Sequence, residues 1–312
     1  MSVELSLIIP CYNEDMVIEE TNRRINYVLD EAGINEYEII YVNDGSSDKT
    51  RAILENLAEK DKKIRVINFS RNFGHQPAVT AGIHNCRGEY AIIIDADLQD
   101  PPELIPKLIA KYHQEDCDIV YCVRKSRKGE SVFKKVTASC FYRLINKYSD
   151  VKFPLDTGDF RLINRKVIDE FKKLREQNKY IRGLISWLGF KQVPFYYIRE
   201  ERFAGETKYP LKKMINFALT GLTYFTKKPL EGAIKLGFFC ILIGILLTVY
   251  TFLVKCTALT TAIPGWALII IIVIFFGGIQ LFTLGIIGVY IGNIFDEVKQ
   301  RPEYIIDSII NP

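Results

Sequence analysis

Two long stretches without a charged residue constrain this chain more than any other feature. No charged side chain occurs in residues 236–254 or in residues 256–295. At about 1.5 Å of rise per helical residue, each stretch is long enough to cross the roughly 30 Å hydrocarbon layer of a bilayer. The sequence therefore predicts a membrane protein, with a hairpin of two transmembrane helices at about 233–254 and about 266–294.

Basic residues around these stretches predict the orientation of the hairpin. Five lysines lie between positions 212 and 235, and Lys299 and Arg301 follow the second stretch. Between the two predicted helices, the only basic residue is Lys255. By the positive-inside rule, we expect both ends of the chain in the cytosol. No basic residue precedes the short apolar run at 5–10, so we expect no secretory signal there.

Charge is distributed unevenly along the polar part of the chain, although the net charge is only +4. It amounts to about −10 over residues 1–123, about +7 over 124–152 and about +7 over 153–231. This pattern indicates one face for cations and another for anions or acidic lipid, and it disfavours nucleic acid as a partner. The seven cysteines form no CxxC pair, so we expect neither a disulfide framework nor a zinc site.

The polar part alternates between short apolar strands and helical stretches. Runs such as Ala91–Ile94 are apolar at every position, which is typical of strands covered on both faces. The alternation predicts a Rossmann-like α/β domain with a mostly parallel sheet, whose ligands bind beyond the carboxyl ends of the strands. The predicted strands are 5–10, 38–42, 64–69, 90–94, 119–122 and one near 192–198, and the predicted helices include 15–32, 76–86 and 103–112.

Acidic clusters follow three of these strands. Glu14 comes after the first strand, Asp44 after the second, and Asp95 and Asp97 after the fourth. Two carboxylates on one turn, with the side-chain oxygen of Gln99, suit a hard cation such as Mg²⁺ or Mn²⁺ that also binds phosphates. Structural alternatives stay open: Glu14 could stabilise a helix N-terminus, and Asp44 could form an Asx turn or a helix cap.

Three motifs at these strand ends resemble those of the family 2 glycosyltransferases of GT-A fold. They are IPCYNE at 9–14, VNDGSSD at 42–48 and DADLQDPPE at 95–103. The resemblance extends to RNFGHQ at 71–76, TGDFR at 157–161, RFAGETKY at 202–209 and the apolar hairpin. It is closest to the branch that moves a sugar onto a polyprenyl phosphate, which includes dolichyl-phosphate mannose synthases and bacterial enzymes that act on undecaprenyl phosphate.

The resemblance implies a role for each matched residue. Asp159 would be the catalytic carboxylate, which takes a residual proton or positions the nucleophile, although a structural role as a turn residue paired with Arg161 stays open. For His75, which lies in one of the matched motifs, we expect ordinary packing or solvation. The nucleotide-sugar contacts would be Pro10, Tyr12, Glu14, Val42, Asp44, Ala96, Arg124, Arg202 and Lys208; the metal ligands Asp95, Asp97 and Gln99; and the contacts to the acceptor phosphate Arg127 and Lys134.

The expected architecture has four parts. They are a GT-A domain at 1–208, a juxtamembrane amphipathic helix at 209–230, the hairpin at 231–298 and a cytosolic tail at 299–312. The expected function is inverting transfer of glucose or an N-acetylhexosamine from a UDP-sugar to undecaprenyl phosphate, at the cytosolic leaflet of a bacterial inner membrane. The alternatives are an enzyme like the processive polysaccharide synthases and an inactive membrane scaffold. Small residues in the second span, among them Gly288 and Gly292, suit packing within the hairpin or in a homo-oligomer.

Overall fold

The computed structural model of the protein describes residues 3–124, 157–177, 179–199, 228–257 and 265–312. These residues fall into two compact units. The first unit holds residues 3–124, 157–177, 179–199 and 301–312, and the second holds residues 228–257 and 265–300. The predicted site residues Arg127, Lys134, Arg202 and Lys208 lie outside the described residues.

The first unit alternates strands and helices, as the apolar pattern predicted. Strand Ile64–Phe69 has the predicted bounds, and the other predicted strands are matched to within a few residues. In chain order the elements are β1 (Leu5–Cys11), α1 (Ile18–Glu31), β2 (Tyr37–Asn43), α2 (Thr50–Lys60), β3 (Ile64–Phe69), α3 (His75–Asn85), β4 (Tyr90–Ile93), α4 (Ile105–Glu115), β5 (Ile119–Arg124), β6 (Thr157–Asn164), α5 (Arg165–Lys172), α6 (Ile181–Trp187), β7 (Gln192–Tyr197) and β8 (Ile306–Ile310).

The strands form one mixed sheet in the order β7-β5-β6-β4-β1-β2-β3-β8. Strands β4, β1, β2 and β3 are parallel to their neighbours in that run, and every residue of β1 and β2 is buried. Helices cover these central strands; α1, for example, buries Ile18, Ile25 and Leu29 along one face. The chain moves from β1 to β2 and β3 on one side and to β4 on the other, so a crevice is expected beyond the carboxyl ends of β1 and β4.

Strand β6 was not predicted, and it changes the site. It is antiparallel to both of its neighbours, β4 and β5, with Ile93 opposite Arg161. Because β6 runs against β4, its first residues lie where β4 ends. Thr157, Gly158 and Asp159 are therefore brought to the edge of the sheet that carries Asp95.

The C-terminal segment, expected as a cytosolic tail at 299–312, contributes a strand to the sheet. Residues Ile306–Ile310 form β8, antiparallel to β3 at the edge of the sheet. The Asn311 side chain donates to the carbonyl oxygens of Ala58 and Ile64, at 2.7 and 2.8 Å. A five-residue strand without strong alternation is a weak sequence signal, and only its tertiary partner reveals it.

The second unit contains two long apolar helices, α7 (Lys228–Thr257) and α8 (Gly265–Lys299). Within the described residues, both are long and apolar enough to cross a membrane, over windows Lys228–Leu247 and Ile272–Lys299. Bulky apolar side chains such as Phe238, Phe252 and Leu281 are exposed on them. Of the predicted juxtamembrane helix at 209–230, residues 209–227 lie outside the described residues, and 228–230 form the first turn of α7.

Candidate functional site

The loops that follow β1 and β2 are locked together at the carboxyl edge of the sheet. The backbone N–H of Asn13 donates to Ser46 Oγ at 3.0 Å, and Asn13 Oδ1 accepts from the backbone N–H of Ser47 at 2.9 Å. Asn13 adopts a left-handed conformation, which asparagine tolerates well. The backbone N–H of Glu14 donates to Thr50 Oγ1 at 2.9 Å. These bonds fix the two motifs relative to each other.

Asp44 binds the loop after β3 through both of its carboxylate oxygens. The backbone N–H groups of Phe73 and Gly74 donate to it at 2.7 and 2.9 Å, and Asn72 Nδ2 donates at 2.8 Å. Burial raises the pKa of Asp44, and this effect outweighs the opposite effect of the hydrogen bonds from the two backbone N–H groups. Asp44 therefore has a clear structural role in holding residues 72–74, and the predicted nucleotide contact would come in addition to it.

The turn after β4 presents the two predicted metal ligands differently. Asp95 is partly exposed, whereas Asp97 is buried and its Oδ1 accepts the backbone N–H of Gln99 at 3.1 Å. Leu98, between Asp97 and Gln99, has a positive φ of 58°. The buried Ala96 carbonyl oxygen accepts from Thr21 Oγ1 at 2.8 Å, which anchors the turn to α1.

The carboxylates of Asp95 and Asp97 suit a divalent cation. Burial raises the pKa of Asp95 to about 6, and the carboxylates of Asp100, Asp97 and Asp159 add to that increase, against the opposing effect of His75. A cation bound to Asp95 would favour its ionised form and so oppose this increase. Among the described residues, no group of three His, Cys, Asp or Glu side chains could hold a metal. Two carboxylates are nevertheless enough for a cation that shares its coordination with water and phosphate oxygens.

Asp159 lies at the centre of a network that the sequence did not reveal. Arg182 Nε and Nη2 donate to its two oxygens at 2.7 and 3.0 Å, and Arg182 Nη1 donates to the Thr157 carbonyl oxygen at 3.0 Å. His75 Nε2 lies 3.0 Å from Asp159 Oδ2 and 3.8 Å from Asp95 Oδ1. His75 thus bridges the carboxylate predicted to be catalytic and one predicted to bind metal.

These contacts set the charge of both groups. Burial disfavours the ionised form of Asp159, but Arg182 and the hydrogen bond from His75 hold the pKa of that carboxyl well below its usual range. Burial lowers the pKa of His75, but the Asp159 hydrogen bond and the charges of Asp95 and Asp159 outweigh it and raise the pKa to about 9. Near neutral pH, Asp159 is therefore a carboxylate that accepts from two cationic side chains.

Arg124, a predicted phosphate contact, ends β5 beside a second buried carboxylate. Its Nε donates to the Tyr197 hydroxyl at 3.2 Å, and its Nη2 lies 3.7 Å from Asp100 Oδ2. Asp100 is fully buried and also accepts a hydrogen bond from the Tyr197 hydroxyl. Arg124 is therefore held at the same edge of the sheet as the turn at 95–97.

The structure brings most of the described candidates to this edge. Of the predicted nucleotide contacts, Pro10, Val42 and Ala96 are buried, and Tyr12 is exposed. Four residues of the networks around Asp159 and Asp100 were not predicted from the sequence as site residues: His75, Asp100, Arg182 and Tyr197. His75 and Asp100 lie within recognisable motifs, which was a usable signal. Arg182 and Tyr197 lie in no such motif, and only the fold reveals them.

The chain belongs to glycosyl transferase family 2. The family model matches residues 6–172, which is more than half of the chain and covers β1 to α5. The mixed α/β sheet described above is therefore the GT-A fold of that family, and the protein is a glycosyltransferase.

Curated relatives match along almost the whole chain. The chain is 49% identical over 308 residues to the uncharacterized glycosyltransferase YkcC of Bacillus subtilis, covering 98% of this chain and 94% of the relative. It is 38% identical over 304 residues to the SfII prophage-derived bactoprenol glucosyl transferase of Shigella flexneri, covering 97% of each. It is 36% identical over 307 residues to a prophage bactoprenol glucosyl transferase homolog of Escherichia coli, covering 98% and 99%.

Solved structures are more distant. The mannosyltransferase PcManGT from Pyrobaculum calidifontis, in complex with GDP-Man and Mn²⁺, has a TM-score of 0.48 at 15% identity, covering 96% of this chain and 87% of that one. Glucosyl-3-phosphoglycerate synthase from Mycobacterium tuberculosis has a TM-score of 0.47 at 20% identity, covering 69% and 76%. Similarity at this level carries no argument about ligands, so the metal and the nucleotide are properties of those proteins.

Proposed function

We propose that this glycosyltransferase transfers a sugar, glucose or an N-acetylhexosamine, from a UDP-sugar to a polyprenyl phosphate such as undecaprenyl phosphate. The observation that carries this proposal is the similarity to bactoprenol glucosyl transferases over 97% of the chain and 97% of the relative, which includes the two apolar helices. A match over the catalytic domain alone would support only the family. A match through α7 and α8 also supports a lipid acceptor.

The donor would bind at the carboxyl edge of the sheet. The locked loops after β1 and β2 would hold the nucleoside, with contacts from Pro10, Tyr12, Glu14, Val42, Asp44 and Ala96. Asp95, Asp97 and Gln99 would hold Mg²⁺ or Mn²⁺. The bound cation would supply electrostatic stabilisation of the departing nucleotide diphosphate. Arg124 would contact the diphosphate, as would Arg202 and Lys208, which lie outside the described residues.

The acceptor needs little help from a base. A phosphate monoester has a second pKa near 6, so at neutral pH its oxygen is already largely ionised and nucleophilic. The contacts of Asp159 agree with this chemistry, because a carboxylate bound to Arg182 and His75 with a lowered pKa is a poor proton acceptor. Asp159 would therefore orient the cations that surround the reacting groups. A single displacement by the acceptor oxygen would invert the anomeric centre.

The helices α7 and α8 would form a hairpin in a bacterial inner membrane. Their flanking lysines favour a catalytic domain and both chain ends in the cytosol. This arrangement would place the catalytic unit on the cytosolic side, where sugar nucleotides are made. Arg127 and Lys134, outside the described residues, would attract the lipid phosphate.

The test is to incubate membranes that contain the protein with undecaprenyl phosphate and labelled UDP-glucose, UDP-N-acetylhexosamines and GDP-mannose in turn. We expect one UDP-sugar to yield a monoglycosylated lipid whose anomeric configuration is opposite to that of the donor. A polymeric product would instead indicate a processive synthase. An absence of transfer or donor hydrolysis with every donor would favour an inactive scaffold and overturn the proposal.

The metal is tested with Asp97→Asn and with EDTA. We expect Asp97→Asn to lower transfer by at least about 100-fold, because it weakens the electrostatic stabilisation of the leaving group. EDTA should have a comparable effect that added Mg²⁺ or Mn²⁺ reverses. Asp116→Asn is the matched control, since Asp116 is exposed and its left-handed conformation suits asparagine. Full activity of Asp97→Asn with normal membrane insertion would contradict the metal assignment.

A further inference from the structure

Asp100 is a buried carboxylate on which three side chains converge. The Tyr197 hydroxyl donates to Oδ1, Arg199 Nε lies 3.5 Å from Oδ1, and Arg124 Nη2 lies 3.7 Å from Oδ2. Asp100 has no exposed surface, and within the described residues no donor forms a hydrogen bond with its Oδ2. Burial of a carboxylate is unfavourable unless it is paired. The ion pairs with Arg124 and Arg199 therefore offset part of the unfavourable free energy of burying Asp100.

The Arg124 guanidinium is enclosed on three sides by these contacts. Tyr197 accepts from its Nε at 3.2 Å, Asp100 faces its Nη2, and the backbone of Gly158 lies against it. A Cβ atom on Gly158 would come within 2.5 Å of Arg124 Nη2, so only glycine leaves room for this position. Tyr197 is itself fixed by edge-to-face packing on Phe160, with ring centroids 6.0 Å apart. The position of the guanidinium is therefore set by residues from β6, β7 and the turn after β4.

The cluster has an excess of positive charge beside the turn that carries Asp95. Two arginines share the single charge of Asp100, and their side chains are partly exposed, at 13% for Arg124 and 25% for Arg199. Asp100 is close enough for its charge to act on Asp95. A cationic pair at the carboxyl edge of the sheet, next to a candidate metal site, suits a diphosphate, since arginine matches phosphate oxygens in geometry and charge.

We propose that Asp100, Tyr197 and Gly158 are positioning residues that hold Arg124 against the diphosphate of the sugar nucleotide, with Arg199 as a second cation of the same subsite. This inference rests on the proposed function, because the anion it names is the donor of that reaction. It adds Arg199 to the residues that bind the donor, and Asp100, Gly158 and Tyr197 as residues that position Arg124. Tyr197 acts only through Arg124, and this dependence makes the proposal testable.

The experiment measures UDP binding by calorimetry and the donor KM with the full-length protein in detergent. Tyr197→Phe removes the hydroxyl and retains the ring that packs on Phe160. We expect it to weaken UDP binding and raise the donor KM by about 10-fold, with the acceptor KM unchanged, since hydrogen bonds that involve charged groups have effects of this size. Gly158→Ala should weaken UDP binding similarly by displacing the guanidinium. Tyr196→Phe is the matched control, because Tyr196 precedes Tyr197 on β7 and is 57% exposed.

A double-variant comparison separates positioning from a general structural effect. Arg124→Ala should weaken UDP binding by itself, and adding Tyr197→Phe to it should cause no further loss. Additive losses, or unchanged UDP affinity in Tyr197→Phe, would overturn the positioning role even if the wild-type protein transfers sugar normally. A wild-type protein that binds no UDP but uses another nucleotide would contradict the choice of donor, and the same comparison with that nucleotide would then decide the positioning role. A wild-type protein that binds no nucleotide would overturn both proposals.

Discussion

The buried ion pair between Lys179 and Glu303 offers a sharp test of how the C-terminal segment is held. Lys179 precedes α6, Glu303 precedes β8, and their side chains are only 3% and 10% exposed. Glu303→Gln would leave the Lys179 ammonium buried without its counter-charge. Breaking one side of a buried pair is unfavourable by about 3 to 5 kcal/mol. If opening of this edge is the dominant route of exchange, amides of β3 and β8 should exchange about 100- to 5,000-fold faster.

Hydrogen–deuterium exchange with mass spectrometry measures this effect on the segments 64–69 and 306–310. Two controls define the cause. Glu170→Gln removes half of the exposed pair between Lys173 and Glu170, which contributes at most about 1 kcal/mol. Lys179→Met combined with Glu303→Leu replaces both charges, so its exchange should return close to the wild-type rate. Unchanged exchange in Glu303→Gln, or equally fast exchange in the double variant, would refute this account of the pair.

Two further predictions concern pH and backbone geometry. Burial, with smaller effects from Lys179 and Lys172, lowers the pKa of His84 to about 4, so His84 favours the folded state when neutral and this stability is lost as pH falls from about 6.5 towards 4. Allowing for its partial exposure, we expect the wild-type protein to lose about 1 kcal/mol more stability than His84→Gln between pH 7 and pH 5 in urea unfolding, because groups such as Asp95 and His75 act equally in both proteins. An equal change in the two proteins would contradict the assignment. Gly45→Ala should destabilise the protein by about 1 to 3 kcal/mol, since Gly45 has a φ of 62° and a Cβ there would lie 2.2 Å from the Arg71 carbonyl carbon; an unchanged melting temperature would show that the loop yields easily.

The parallel core was predictable because its signals are local. Strands β1 to β4 are short apolar runs bounded by turn residues, and the helices between them repeat apolar residues at helical spacing. Strands β6 and β8 gave no comparable signal. Strand β6 carries the polar residues Thr157, Asp159 and Arg161 within a buried run, and β8 is defined by its pairing with β3. Such strands depend on pairing with distant segments of the chain, and local sequence patterns carry no information about that pairing.

In the candidate site, too, the residues with a local sequence signal could be predicted and the long-range contacts could not. Asp95 and Asp97 could be proposed from the sequence because they directly follow a predicted buried strand. The pairing of Asp159 with Arg182 could not, because 22 residues separate them and β6 was not recognised as a strand of the sheet. The antiparallel direction of β6 is what brings Asp159 next to His75 and Asp95. The contacts of Asp159 therefore depend on the direction of β6, which the sequence did not predict.

The acidic and basic parts of the sequence contact each other in the structure. The acidic first part and the basic later part were expected to form separate faces. At the carboxyl edge they instead meet, because Asp100 from the first part pairs with Arg124 and Arg199 from the second. Mutual pairing holds these cations in place, which would lower the reorganisation needed for the proposed diphosphate to bind. A cluster built this way should respond to loss of the Tyr197 hydroxyl mainly through donor affinity, whereas loss of the Asp97 carboxylate should act mainly on the rate of transfer.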